Sequence, residues 1–262
     1  MIFPDVKRVI YGNNPLAEVV CQLRFQPILR IDTDVPVNFQ ERIQENYPNY
    51  SEETDLMFRI PSEAKLPVDI AGQTIKSMGI KNYSFSSDDG FWKVNLTRTF
   101  LSLSTKRYKK WEEFKAKLQQ PFDALIEIYL PNSFSRVGLR YIDIIKRSEH
   151  GIKDVSWGEL LQPYVSGILS IPEISDSVTT FENVYKVSLG TDNDVVRIVM
   201  KFVKDVESDE TCFMIDSDFF FTGKIASDEI FKKLDYFNAN ASRLIRWTIS
   251  SRLHAAMQPE DL

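Results

Sequence analysis

The sequence predicts an α+β fold made of two similar antiparallel-sheet units, each covered by one long amphipathic helix. Three observations carry this expectation. Leu23-Arg24-Phe25 closes an apolar run near the start of the chain, and Leu139-Arg140-Tyr141 lies in a similar run about halfway along. Each run is followed by a polar, proline-containing stretch, then strand-like segments, then a long helix. The apolar stripes of those helices are spaced alike, at Phe114, Leu118, Phe122, Leu125 and Tyr129 in one and Ile230, Leu234, Phe237, Ala241 and Leu244 in the other. The division falls after residue 131, giving an N-terminal unit over 1–131 that opens with an extended arm and a C-terminal unit over 132–262. Strands with one apolar face must be covered, so the two units are expected to form one body with both helices on one side.

Taken in order, residues 1–17 contain Pro4, Gly12 and Pro15 and read as an extended arm. Ile2, Phe3, Val9, Ile10 and Tyr11 give that arm a side with which to pack. Glu18 to Ile31 alternates as a strand, with Val19, Cys21, Leu23 and Phe25 on one face and Val20, Gln22 and Arg24 on the other. Pro27 within it marks an edge or a bulge. Val37 to Tyr47 reads as a short helix, with Phe39 and Ile43 one turn apart and Pro48 as its stop. Leu56 to Ile60 reads as a short strand and 61–72 as irregular. Ser77 to Ser86 and Phe91 to Leu103 form a hairpin closed at Asp88-Asp89-Gly90. The first long helix runs from Tyr108 to Leu130, with a kink expected at Pro121.

In the second unit Val137, Leu139 and Tyr141 alternate with Arg136, Gly138 and Arg140. A short helix fits Trp157 to Tyr164, and Gly167 to Thr180 reads as a loop. Val184 to Leu189, Val195 to Val203 and Thr211 to Phe221 read as strands. Ser227, with Asp228 and Glu229 behind it, reads as the N-cap of a last helix that reaches about Met257.

Composition sets the outer limits. A chain of 262 residues can bury enough surface to need no metal or disulfide staple. Eighteen Phe and ten Tyr favour a sheet-rich, aromatic core. The net charge of −5 argues against a general nucleic-acid coat while leaving room for a local basic patch. Cys21 and Cys212 read as reduced core thiols. No apolar stretch approaches membrane-spanning length and no secretory leader is visible, so the expected location is cytoplasmic with no membrane contact.

Candidate chemistry is sparse. Only His150 and His254 are present, so a nucleophilic triad has little to draw on. Zinc-ligand spacings and glycine-rich phosphate loops are absent, and no cofactor is expected. Arg24 and Arg140 each interrupt an otherwise apolar strand, and a buried guanidinium is costly unless it meets a carboxylate. Either each holds an ion pair that fixes register, or with Tyr141 they line a ligand or partner groove. Asp143 shares the face of Tyr141 and is expected to pair with a neighbouring basic strand. Asp216 and Asp218 share one strand face. They are weak candidates for holding Mg²⁺, the commoner uses being a solvated face or arginine partners. Lys106, Arg107, Lys109 and Lys110, with Tyr108 among them, form the most basic run. With Arg243 and Arg246 on the last helix they are the nucleic-acid candidates, although a solvated helix start is the commoner use of such a run.

Pro15-Leu16-Ala17-Glu18-Val19-Val20 with Leu23-Arg24-Phe25, and Arg136-Val137-Gly138-Leu139-Arg140-Tyr141-Ile142, resemble a sporadically distributed bacterial family of about this length with no assigned function. The resemblance implies a patchily inherited prokaryotic gene, as in mobile or defence islands, and brings no catalytic residues. The leading expectation is a non-enzymatic protein-interaction subunit of a bacterial defence or toxin–antitoxin system, with a protein partner or a second copy of itself. The segment from Gly167 to Thr180 and the N-terminal arm are its expected contact elements. The alternatives are a nucleic-acid-binding accessory protein and a metal-dependent hydrolase built on Asp216 and Asp218.

Overall fold

Period-two alternation in the strands and a three-to-four-residue repeat in two helices set the architecture of the computed structural model, which describes residues 2–53, 81–191 and 193–261. The first part of the chain holds β1 (Val9–Tyr11), β2 (Leu16–Phe25), α1 (Arg30–Thr33), α2 (Val37–Ile43), β3 (Asn49–Glu53), β4 (Asn82–Ser86), β5 (Trp92–Thr97), β6 (Phe100–Thr105) and α3 (Trp111–Tyr129). There follow β7 (Phe134–Ile145), α4 (Trp157–Leu160), α5 (Pro163–Ser166), a 3₁₀ turn (Gly167–Ser170), α6 (Pro172–Ser175), β8 (Glu182–Ser188), β9 (Asp194–Lys204) and β10 (Thr211–Ile225). A 3₁₀ turn (Ser227–Glu229), α7 (Ile230–Thr248), α8 (Ser251–Ala256) and β11 (Pro259–Asp261) complete it. The protein is thus α+β, with antiparallel sheets. The strand expected at Leu56 to Ile60, the irregular stretch after it and the start of the strand expected from Ser77 lie outside the described residues.

Among the described residues, nine strands form one antiparallel sheet in the order β3-β4-β5-β6-β2-β7-β10-β9-β8. The seam is β2 against β7, where Val19, Cys21 and Leu23 oppose Tyr141, Leu139 and Val137. That register puts the apolar residues of both strands on one face, and both long helices cover it. Phe114 of α3 meets Trp92 at 5.8 Å between ring centroids, Phe122 meets Phe134 at 5.9 Å, and Phe237 of α7 meets Phe219 at 6.4 Å. The helices also hold each other. Phe122 and Phe231 meet edge to face at 5.2 Å, and Asp235 accepts hydrogen bonds from Trp111 Nε1 (2.7 Å) and Lys115 Nζ (2.8 Å). Phe114, Leu118 and Leu125 on α3, and Ile230, Leu234 and Phe237 on α7, are completely buried. At roughly 2 kcal/mol per side chain, each trio contributes about 6 kcal/mol before chain entropy is subtracted.

Several elements differ from the sequence expectation for local reasons. β2 ends at Phe25 because Pro27 has no N–H to give the ladder, and the chain then turns into α1, which buries Ile31. α3 begins at Trp111, three residues later than expected, and carries Pro121 inside it. The carbonyl that Pro121 leaves without a helical donor is that of Lys117, and Tyr47 Oη donates to it at 2.9 Å. The segment expected as a loop from Gly167 is a series of short helical turns. The last helix begins at Ile230 and stops at Thr248. There Ile249 bridges to Leu161, Ser250 N donates to Leu160 O (2.9 Å), and Ser250 Oγ caps α8 by accepting from Leu253 N. The N-terminal arm is anchored, since β1 pairs with β11, Tyr11 Oη meets His254 Nδ1 at 2.9 Å, and Phe3 packs on Trp247. No helix among the described residues is long and apolar enough to cross a membrane.

Candidate functional site

The sheet has a helix-covered face and an open face, and β7 supplies both. Arg136, Gly138 and Arg140 point to the open side, while Val137, Leu139 and Tyr141 enter the core. On the open face Arg140 lies directly opposite Asp218 but reaches diagonally to Asp216, in a two-pronged ion pair at 2.5 and 2.6 Å. Arg136 reaches Asp218 in the same way at 2.8 and 3.0 Å. Its guanidinium lies over Gly138 and the ring of Phe220, and a Cβ on Gly138 would come within 2.3 Å of it. Gln22 Oε1 accepts from Arg24 Nε (2.8 Å) and Arg136 Nη1 (3.4 Å), which extends the network across the seam. The Asp216 and Asp218 carboxylates are therefore both occupied by arginine. No cluster of three or more potential metal ligands is present among the described residues. The structure brings Arg24 and Arg140 to one face and puts Tyr141 on the other, so the sheet separates the three proposed groove residues.

Tyr141 leads to a cleft between the two long helices. Its floor is the sheet, with Tyr141, Asp143 and Ser217. One wall is the stretch from Tyr108 to Trp111 that leads into α3, the other is α7 from Asn238 to Ile245, and the β1 arm closes one side. The space, open on one side, is about 100 Å³. Tyr141 Oη donates to Asn238 Oδ1 at 2.9 Å, and Tyr108 Oη reaches the same oxygen at 3.5 Å. The rings of Tyr108 and Tyr141 meet edge to face. Burial pushes the Tyr141 phenol well above its ordinary range and that of Tyr108 up to about 12. Asp143 is 7% exposed, opens onto this cleft, and has no hydrogen bond or ion pair with any described residue. The basic strand partner expected for it is missing because the arginines of β7 sit on the opposite face. Burial, and then the Asp216 carboxylate beyond the sheet, push its carboxyl up to about 7.

The basic candidates gather near the mouth of the same cleft. Lys109 and Lys110 line it, and neither has an ion-pair partner among the described residues. Arg107 lies over the Phe91 ring at 3.7 Å and meets Asp89. Lys106 is exposed. Arg243 pairs with Asp5 of the arm, and Arg246 faces Tyr11. His150 is buried and burial lowers its pKa, as it does for His254.

A third feature lies at the β8 edge of the sheet. Val184 and Tyr185 are each 44% exposed, and the turns leading towards them expose Tyr164, Ile168, Ile171 and Ile174. The three-to-four-residue spacing of those four side chains was a visible signal of a helical apolar face. Asn238 carried no such signal, being a polar residue beside the buried Phe237. No protein-family model matches this chain, and a comparison with curated proteins finds no match.

Proposed function

We propose that this chain is a non-enzymatic protein-interaction subunit that pairs its β8 edge with β8 of a second copy. The observation that supports this is the outward edge itself. Phe202 N donates to Phe181 O and Leu189 N to Asp194 O, so the odd-numbered residues of this stretch direct their backbone groups to β9. Successive residues alternate, so the N–H and C=O groups of Glu182, Val184, Lys186 and Ser188 point away from the sheet. An antiparallel copy centred on Val184 sets Glu182 against Lys186 twice, with Val184 against itself. Centring it on Glu182 or Lys186 would oppose like charges. The exposed Tyr164, Ile168, Ile171 and Ile174 add apolar surface on the chain leading to that edge.

Light scattering across a concentration series tests this, with concentration-dependent dimers expected. Val184→Pro removes an outward N–H without touching a β8–β9 bond and should give a monomer. Glu182→Lys and Lys186→Glu should each weaken the dimer, and the double swap should restore it. A wild-type chain that stays monomeric throughout overturns the proposal.

We also read the two halves as a tandem duplication, each sealed by its own amphipathic helix. In its favour, the strands run β6, β5, β4 outward from the seam on one side and β10, β9, β8 on the other, and in each half a helix of 19 residues follows the strands of the large sheet. β3 has no counterpart among the described residues of the second half. The proposed setting is a bacterial defence or toxin–antitoxin system, in keeping with the patchily inherited prokaryotic gene that the sequence resemblance implies, and a pull-down from the native host tests it.

A further inference from the structure

We infer that the cleft between α3 and α7 is a binding site for a pyrimidine mononucleotide, with the base against Asp143 and Asn238 and the phosphate at Lys109 and Lys110. Five observations converge. The Asp143 side chain is buried, opens into the cleft and has no partner among the described residues. A buried carboxyl group without a partner is costly, and a ligand supplying donor and acceptor groups would remove that cost. Asn238 is oriented for the same task. Its Oδ1 is taken by Tyr141 Oη, which leaves its Nδ2 protons without an acceptor among the described residues. A carboxyl able to donate or accept, beside an amide donor, complements the edge of a base that carries both kinds of group.

The walls fit a flat ring, since Tyr108 and Tyr141 present aromatic surface. Size favours a small base. An apolar cavity of about 150 Å³ takes one benzene ring, and about 100 Å³ with one open side is a closer match to a single ring than to a fused pair. At the mouth two exposed lysines form no ion pair with a described residue, although Lys110 acts on the nearby Glu112 carboxylate, and together they offer a place for a phosphate. The site is independent of the β8 edge.

Calorimetric titration of the full chain at neutral pH with uridine, cytidine, adenosine and guanosine monophosphates tests this. Saturable binding of a pyrimidine nucleotide is expected, at least tenfold tighter than either purine nucleotide or ribose 5-phosphate. Lys109→Glu with Lys110→Glu, both on the surface, should weaken the nucleotide at least tenfold and leave the parent nucleoside unchanged. Asp143→Leu and Ala241→Leu, the second filling the cleft from α7, should abolish binding of both in protein that still melts cooperatively. No saturable binding by any of the four overturns the inference. So does equal binding of ribose 5-phosphate, or binding that survives both cleft substitutions.

Discussion

Asp143 and Asp216 are buried to the same extent, each 7% exposed, on neighbouring strands of one sheet, and they have opposite surroundings. Asp216 faces the open side and is held by both prongs of Arg140. Asp143 faces the helices and meets no cation among the described residues, and burial pushes its carboxyl up to about 7. Burial alone therefore does not decide what a carboxylate does in this protein. The face it falls on decides whether an arginine can reach it, and only the unpartnered one is left to serve a ligand.

The largest expected effect comes from removing the unpartnered acid. Unfolded, Asp143 releases its proton near pH 4, whereas folded it does so at about 7. Between those values the folded state holds more protons, so stability falls as pH rises and stays reduced above 7. Asp143→Asn should abolish that dependence and raise stability by about 2–4 kcal/mol at pH 8, read from urea denaturation at pH 5 and pH 8. An unchanged pH profile breaks the contrast with Asp216.

Arg140→Ala attacks the other member and should cost about 2 kcal/mol by leaving Asp216 without its cation, discounted because the guanidinium is partly solvated. Adding Asp216→Asn to it should recover most of the loss. A smaller loss, about 1 kcal/mol, is expected for Gly138→Ala, whose new methyl displaces the flexible Arg136 head from Asp218. Combining Gly138→Ala with Arg136→Ala should add nothing to the loss from Arg136→Ala, and a double-mutant cycle reads that coupling. Val184→Pro is expected to change monomer stability least, within about 0.5 kcal/mol, because the N–H it removes points to solvent.

How much of this was legible depends on range. The alternation of Arg136, Gly138 and Arg140 with Val137, Leu139 and Tyr141 is enough to place each side chain on its face, because the period of a strand is a local property. The same holds for Asp216 and Asp218, and for the helical stripes at Phe114 and Ile230. Pro121 shows the limit. Its local rule says that a helical hydrogen bond is lost, and a hydroxyl from Tyr47, 70 residues from the carbonyl it serves, donates in place of the missing N–H. The stop at Thr248 likewise depends on Leu160 and Leu161, which no window around the last helix contains.

By itself the sequence determined the fold class, the faces of the strands and the absence of recognisable catalytic motifs, since these follow from periodicity and composition. Tertiary structure alone decided which arginine meets which aspartate, that β2 and β7 form the seam, and that Tyr108, Asp143 and Asn238 surround one cleft. Those are pairings between distant segments, set by strand register and by how two helices share a sheet, and neither is encoded in any local pattern.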